Sequence, residues 1–361
     1  MVAIVAICLV GYALGLLWLY KYQHRQDGDL PAQAGAPPLT VLTAFRNEEL
    51  HLPALQRDLA LQTYPALTWL AVDDGSTDGS ADLLQQGGDD NLSLQKIRMP
   101  GGAGKRQAIA AGVAACQTDY ILQTDADCRV GETWAAQAQA YALAKEADLL
   151  IMPLRFAGGA PWALALVNVE FASVMAVTCG MARAGCPVMC NGANLLYTKR
   201  LWQAAEAHLH SRPGQGGDDM YLLDFALAHG YRVAYADAPG LWVDTAAPTS
   251  LGSFLRQRRR WAGKGVSYRS PYPLATAAVS LAGQVAFGAC LWGGLTGLLP
   301  WAPGLMAAKV AAEALVIGRQ MQKAGLRFPL WAFLAWQVLY LPYLIAVLLP
   351  TFAGRKTVWK T

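Results

Sequence analysis

Charge is scarce in this 361-residue chain: Asp, Glu, Lys and Arg make up 15% of it, where a soluble domain carries about 25%. Apolar residues make up 54%. Disorder needs the opposite balance, low hydrophobicity with high charge, and is excluded. A freely soluble globule would need more charge to cover its surface. A disulfide framework is missing too. Seven cysteines (Cys8, Cys116, Cys128, Cys179, Cys186, Cys190 and Cys290) cannot all pair, and the soluble part reads as cytosolic, where disulfides are rare. Cys186 and Cys190 are spaced as zinc ligands can be, but no second ligand pair stands at a fitting distance. The chain also lacks internal repeats and low-complexity stretches.

The shortage of charge is local. Met1–Tyr20 carries none, and between Tyr272 and Pro350 only Lys309, Glu313, Arg319, Lys323 and Arg327 are charged. Residues 21–271 hold all but eight of the charges, about 18% of that stretch. The chain reads as a soluble domain between membrane segments. Met1–Tyr20 is long enough to cross ~30 Å of hydrocarbon at ~1.5 Å per residue. It has no basic leader region and no small-residue cleavage site, so it is expected to stay as an anchor. Lys21, His24 and Arg25 follow at once. The positive-inside rule then puts the N-terminus outside and residue 21 onward, with the soluble domain, in the cytoplasm of a multi-pass cell-membrane protein.

Leu274–Pro300, Leu305–Ile317 and Leu330–Phe352 are further apolar runs, the last with a kink expected at Pro342. Lys309 and Glu313, four residues apart on one helix face, either pair or let Lys309 reach the interface. Three C-terminal spans would leave Arg355, Lys356 and Lys360 outside, against the charge rule. Two to three spans are therefore expected, with room for a re-entrant or interfacial segment. The expected organisation is an N-terminal transmembrane helix (1–20), a linker (21–38, with a Gly- and Pro-containing joint at 27–38), a soluble domain (39–248), an amphipathic interfacial helix (249–270), a C-terminal transmembrane region (271–352) and a basic tail (353–361).

Between the membrane runs, β-type and helical stretches alternate. Leu39–Phe45, Leu67–Val72, Leu92–Arg98 and Tyr120–Gln123 read as strands, and Glu48–Gln62 and Lys105–Ala115 as helices. This order predicts an α/β fold with a mostly parallel sheet flanked by helices. Ligands bind at the carboxyl ends of strands in such sheets, and two acidic clusters fall at strand ends.

Asp73-Asp74-Gly75-Ser76 follows one strand. Its carboxylates can accept hydrogen bonds from a nucleoside, or it can be a capped turn. Asp125-Ala126-Asp127 follows another. Carboxylates at i and i+2 of an extended segment point the same way. A hard divalent cation, Mg2+ or Mn2+, would offset their repulsion and bridge a diphosphate; otherwise this is a solvated turn. Gly217-Asp218-Asp219 precedes an apolar helix, Met220–Ala228, as an N-cap or as a catalytic carboxylate. Gln257-Arg258-Arg259-Arg260-Trp261 is either a basic interfacial helix or a diphosphate site with an aromatic platform.

The order Asp-Asp-Gly-Ser, Asp-x-Asp, Gly-x-Asp-Asp, Gln-x-x-Arg-Trp resembles that of the membrane-bound inverting family 2 glycosyltransferases of GT-A fold. That group includes the cellulose, hyaluronan and poly-N-acetylglucosamine synthases and the ceramide glucosyltransferases. The resemblance covers about residues 39–265. It implies that the end of the first strand, with Thr43, Ala44, Arg46 and Glu48, cradles the nucleobase, and that Asp73 and Asp74 contact the nucleoside. It puts Lys105 near the nucleotide and gives Asp125 and Asp127 the metal and diphosphate, Asp127 as the direct ligand. Asn191, Gly192 and Asn194 would line the donor sugar and acceptor. Asp219 matches the catalytic base, and Asp218 stands where Glu is more usual. Gln257, Arg260 and Trp261 match the terminal donor-binding motif.

The implied activity is metal-dependent transfer of a sugar from a nucleotide-sugar, UDP by family expectation, to a lipid, lipid-linked or glycan hydroxyl at the membrane, with no nucleic acid involved. Processive polysaccharide synthesis is the alternative, though processive relatives commonly carry more spans. A nucleotidyltransferase would also use paired carboxylates and a metal but has no use for the Gln-x-x-Arg-Trp helix. A membrane scaffold with a decayed site fits poorly with intact carboxylate sets, and a transporter fits poorly with so large a cytosolic insert.

Overall fold

Every residue of Leu39–Phe45 is buried, as a strand covered on both faces requires. The computed structural model describes residues 2–24, 36–84, 92–212, 217–264 and 270–352. Most of the expected joint at 27–38, Arg25 and the basic tail with Arg355, Lys356 and Lys360 lie outside the described residues. In chain order the first elements are α1 (Val2–Gln23), β1 (Leu39–Phe45), α2 (Leu52–Ala60), β2 (Leu67–Asp73), α3 (Ser80–Leu83), β3 (Leu92–Arg98) and α4 (Lys105–Ala115). There follow β4 (Tyr120–Gln123), β5 (Cys128–Arg129), α5 (Trp134–Ala144), β6 (Leu149–Ile151), β7 (Leu154–Ala157), α6 (Pro161–Arg183) and β8 (Leu195–Thr198). The last are α7 (Lys199–His210), α8 (Asp218–Ala228), β9 (Val233–Tyr235), β10 (Val243–Ala246), α9 (Leu251–Lys264), α10 (Pro271–Leu295), α11 (Ala302–Lys323) and α12 (Leu330–Phe352). They divide into two units. One holds α1, α6 and the chain from Ala247 on; the other holds the segments between.

The sheet unit has seven strands in the order β3-β2-β1-β4-β8-β6-β9. All neighbours are parallel except β8, which is antiparallel to β4 and β6. Register decides what meets at the carboxyl edge. Phe45 pairs with Asp73, so β1 and β2 finish together, while β4 ends at Gln123, level with Leu42 and three residues short of the end of β1. Because β8 runs the other way, its first residue, Leu195, pairs with Gln123, and the preceding loop 191–194 arrives at that same edge. Leu42, Val72, Ile109, Ile121 and Leu196 are fully buried between sheet and helices. Gly112 of α4 sits where any Cβ would collide with Leu42, which lets this helix lie close on β1 and β2. A smaller sheet, β5-β10-β7, flanks the first, and its β5 is pinned to α2 by a two-pronged Arg129–Asp58 pair at 2.6 and 2.7 Å.

The α2 helix begins later than the sequence pattern predicts. Residues 46–51 form a loop instead, in which Asn47 takes a left-handed backbone, φ 55°, and Pro53 lies in the first helical turn, where proline is tolerated.

Among the described residues of the helical unit, four helices are long and apolar enough to cross a membrane: Ala3–Gln23, Pro161–Arg183, Pro271–Leu295 and Leu330–Leu349. The second was not expected, since 39–248 reads as one catalytic domain, whereas α6 belongs to this unit. Along its length α6 meets α12 through Leu166 and Trp336, then α11 through Val169, Ala172, Ile317 and Met321, then α1 through Gly180 and Leu19. These contacts tie α6 to three other helices of the unit, α12 also reaching it at Glu170 through Tyr343. The α12 helix continues through Pro342.

The α11 helix has too many charges to count among the apolar spans, and Lys309 and Glu313 settle their alternative by pairing at 2.9 Å, both buried. Tyr12, Gln284 and Gln337 donate to the Glu313 carboxylate, while Lys309 donates to the side-chain oxygens of Gln284 and Gln337 and lies 4.2 Å from the Phe287 ring centre. Four helices thus share one buried polar network. At the far end of α1, the Gln23 carbonyl accepts from Lys323 and Arg183, which meets the need of a helix C-terminus for donors and positive charge.

Candidate active site

The carboxyl edge of the sheet is built from turns that hold one another. After β1, the Asn47 amide donates to Ser76 Oγ at 3.0 Å, and Asn47 Oδ1 accepts from the Thr77 amide at 2.8 Å. The Glu48 amide donates to Ser80 Oγ at 2.7 Å. The Asp-Asp-Gly-Ser turn is therefore tied to the loop expected to cradle a base. Within it, Asp73 Oδ1 accepts from the Ser76 amide at 2.7 Å. Asp73 Oδ2 is buried without a hydrogen bond, and Arg98 Nε lies 3.7 Å away.

Asp74 behaves differently from its neighbour. It is fully buried, and its two carboxylate oxygens accept from the amides of Ala103 and Gly104 at 3.2 and 2.9 Å. The expected nucleoside pair is thereby divided: Asp74 holds the glycine-rich loop, and Asp73 keeps an acceptor. Gly75, φ +71°, backs directly onto Gly101, and a Cβ would run into that backbone. Only glycine lets the two loops pass so closely.

That loop ends at Gly104, φ +91°, and delivers Lys105 as the first residue of α4. The Lys105 ammonium lies 2.6 Å from Asp125 Oδ1. Burial pulls its pKa down, but the charges of Asp125, Asp218 and Asp219 outweigh burial and raise it. Lys105 thus stands as an ammonium that feels three carboxylates, Asp125 after β4 and Asp218 and Asp219 at the start of α8. The buried Cys128 thiol beneath them is raised by burial and then by Asp127 and Asp125, so it is not a nucleophile at neutral pH.

Gly217, φ +89°, opens α8, and Asp218 and Asp219 occupy its first turn. Asp219 is half-buried. Its Oδ2 accepts from the Gly192 amide at 3.2 Å, and its Oδ1 from the Met220 amide at 2.9 Å. The first turn of a helix favours a carboxylate there. Gly192 touches a residue the sequence reading passed over: a Cβ on it would press on Gln123 Nε2, while Gln123 Oε1 accepts from Tyr197 at 3.0 Å. The only sequence signal for Gln123 was its place just before Thr124-Asp125.

Two expected donor contacts have structural duties instead. Asn194 is fully buried; it donates to the carbonyls of Pro153 and Leu241 at 2.7 and 2.8 Å and accepts from Trp134 at 2.9 Å. Its amide is used up inside the fold. Thr43 is buried under the Trp69 indole, whose N–H it accepts at 3.2 Å. Ala44 is buried, and Arg46 is half-buried at the edge of the site loop.

Among the described residues, no three His, Cys, Asp or Glu side chains are grouped to hold a metal alone. Asp125 and Asp127 supply an oxygen-only pair. Mg2+ keeps several waters and takes one or two carboxylates plus substrate phosphates, so this donor set suits a cation shared with a diphosphate rather than an all-protein cage.

Gln257, Arg260 and Trp261 lie on α9, in the helical unit. Trp261 packs on Arg258, 4.4 Å from ring centre to guanidinium, and on Phe171, 5.8 Å between ring centres. Gln257 accepts from Arg258 Nη1.

A mostly parallel α/β sheet, flanked by helices and carrying acidic turns at its carboxyl edge, defines a GT-A glycosyltransferase fold. The family model described as glycosyl transferase family 2 matches residues 40–173, and that described as glycosyl transferase family group 2 matches residues 120–350. The chain belongs to glycosyl transferase family group 2. It is 27% identical over 275 residues to an N-acetylglucosaminyltransferase of Rhizobium meliloti (strain 1021), covering 70% of this chain and 63% of that one. It is 26% identical over 231 residues to an N-acetylglucosaminyltransferase of Rhizobium leguminosarum bv. viciae, covering 62% and 54%. It thus spans less than two thirds of the length of these relatives. In fold it is similar to the mannosyltransferase PcManGT from Pyrobaculum calidifontis, solved in complex with GDP-Man and Mn2+ (TM-score 0.65, 19% identity, covering 99% of this chain and 100% of that one).

Proposed function

We propose that this protein is an inverting glycosyltransferase that moves N-acetylglucosamine from a nucleoside diphosphate, UDP in our reading, to a hydroxyl of a lipid or lipid-linked acceptor at the membrane. The observation that carries it is the gathering of Asp125, Asp218 and Asp219 around the Lys105 ammonium at the carboxyl edge of the sheet. The sugar follows from the names of the relatives, and the membrane acceptor from the apolar helices of the same chain.

In this reading Asp219 is the general base. Backbone amides fix its carboxylate, and its half-exposed position leaves it within reach of an incoming hydroxyl, from which it takes the proton as the oxygen attacks the anomeric carbon. Lys105 stabilises negative charge on the departing diphosphate. Asp73 Oδ2 accepts from the nucleoside, and Gln257 and Arg260 hold the diphosphate. Asp127, with Asp125, holds a divalent cation, which when bound supplies further positive charge to the leaving group; the Mn2+ of the mannosyltransferase supports that choice. The catalytic domain faces the cytoplasm.

The test is a screen of purified full-length protein with UDP-N-acetylglucosamine, UDP-glucose and GDP-mannose, with Mn2+ or Mg2+ and a membrane-lipid extract as acceptor. The expected product is a glycolipid one N-acetylhexosamine heavier than its acceptor, released with nucleoside diphosphate, and lost on chelation. A long polymer as product would favour processive synthesis, and pyrophosphate release would favour a nucleotidyltransferase.

A further inference from the structure

The second residue of Gln257-Arg258-Arg259-Arg260-Trp261 is an unassigned position of the motif, yet it is the most buried of the five. Arg258 and Glu170 of α6 are each about 3% exposed at the side chain. Arg258 Nε donates to Glu170 Oε1 and Oε2 at 3.0 and 3.2 Å, and Nη2 to Oε2 at 2.5 Å. Tyr343 of α12 donates to Glu170 Oε1 at 2.9 Å. The guanidinium lies 4.6 Å from the Phe254 ring centre and 4.4 Å from that of Trp261. Phe254, Arg258 and Trp261 are spaced i, i+4, i+7, one stripe of a helix. Gln257 and Arg260, spaced i and i+3, form a neighbouring stripe rotated away from it.

Burying an ion pair carries a desolvation penalty, and in some proteins such a pair fixes an arrangement that apolar packing would leave loose. A one-point anchor could let α9 turn about its axis. A fork-to-carboxylate pair, locked by a tyrosine and enclosed by aromatic rings, does not.

We propose that Glu170 and Tyr343 are positioning residues: through Arg258 they set the rotation of α9 and so the direction in which Gln257 and Arg260 are presented. The α6 helix, which carries Glu170, is then the seat of the motif. The proposal rests on the reading above that Gln257 and Arg260 serve the donor.

The experiment uses the full chain in lipid nanodiscs, with Glu170→Gln, Glu170→Ala and Tyr343→Phe, and with UDP-N-acetylglucosamine plus Mn2+ as probe. Hydrogen exchange of the α9 amides reads the anchor without reference to activity. Glu170→Ala is expected to raise that exchange more than Glu170→Gln, with the β1 and β4 amides unchanged. Misplacing a catalytic contact by ~1 Å can cost about 10²-fold, and a loss in kcat of that order is expected for Glu170→Ala, with partial recovery in Glu170→Gln. In an Arg260→Ala background the same substitutions should cost little more, because the group they position is gone. Unchanged α9 exchange in Glu170→Ala would overturn the anchor. Raised exchange with equal kinetic losses in both backgrounds would overturn the positioning role. Full turnover in Arg260→Ala alone would overturn the reading of the motif, while the exchange data would still decide the anchor.

Discussion

At the scale of single residues, similar motif positions carry different work. Asp73 and Asp74 are adjacent in sequence, yet one keeps a carboxylate oxygen without a hydrogen bond and the other gives both oxygens to the Ala103 and Gly104 amides. Hydrogen bonds to a charged group contribute about 1.5–3 kcal/mol each, so Asp74→Ala should lower stability by at least that amount. On the proposed function it should also weaken nucleotide-sugar binding through Lys105, whose loop it holds; thermal unfolding and nucleotide titration of the same variant check both effects. Lys105 itself gives no acid limb. Its folded pKa is raised, so its stabilising contribution is complete below the ordinary lysine value and fades only as pH rises beyond it. Sequence patterns single out Asp73, Asp125 and Asp219 as candidates because carboxylates at strand and helix ends are local features. They could not separate Asp74 or Asn194 from their neighbours, since what uses up those side chains comes from residues 30 to 60 positions away or from other strands.

At the scale of elements, β1, β3, β4 and α4 were legible to the residue, because buried parallel strands are short apolar runs and α4 is alanine-rich. The α6 helix was not. Asn168, Glu170, Ser173 and Thr178 interrupt its apolar pattern, and its chain position between two strands of the sheet unit disguises its membership of the helical one. The α11 helix shows the converse: its charges were visible, but their partners Tyr12, Gln284 and Gln337 come from three other helices. Removing one side of a buried pair leaves the other charge uncompensated, a loss of about 3–5 kcal/mol. Glu313→Ala should therefore unfold at markedly lower temperature in detergent. The double variant Glu313→Leu with Lys309→Met should recover much of the loss, and no recovery would mean that the network contributes more than charge pairing.

At the scale of the whole molecule, the low charge of the chain resolves into a segregation. The helical unit contains only two acidic residues, Glu170 and Glu313, each buried against a cation. The acidic side chains of the chain lie otherwise in the sheet unit, with the candidate catalytic carboxylates among them. A basic, apolar helical unit should hold the protein in membranes through alkaline carbonate extraction, and release into the supernatant would contradict a spanning anchor. The most direct measurement of the proposed chemistry compares wild type with Asp219→Asn in nanodiscs, following nucleoside diphosphate release from UDP-N-acetylglucosamine and nucleotide affinity by calorimetry. Asp219 as general base predicts that the variant binds nucleotide as wild type does and releases almost no diphosphate to an acceptor; normal turnover in Asp219→Asn would contradict it.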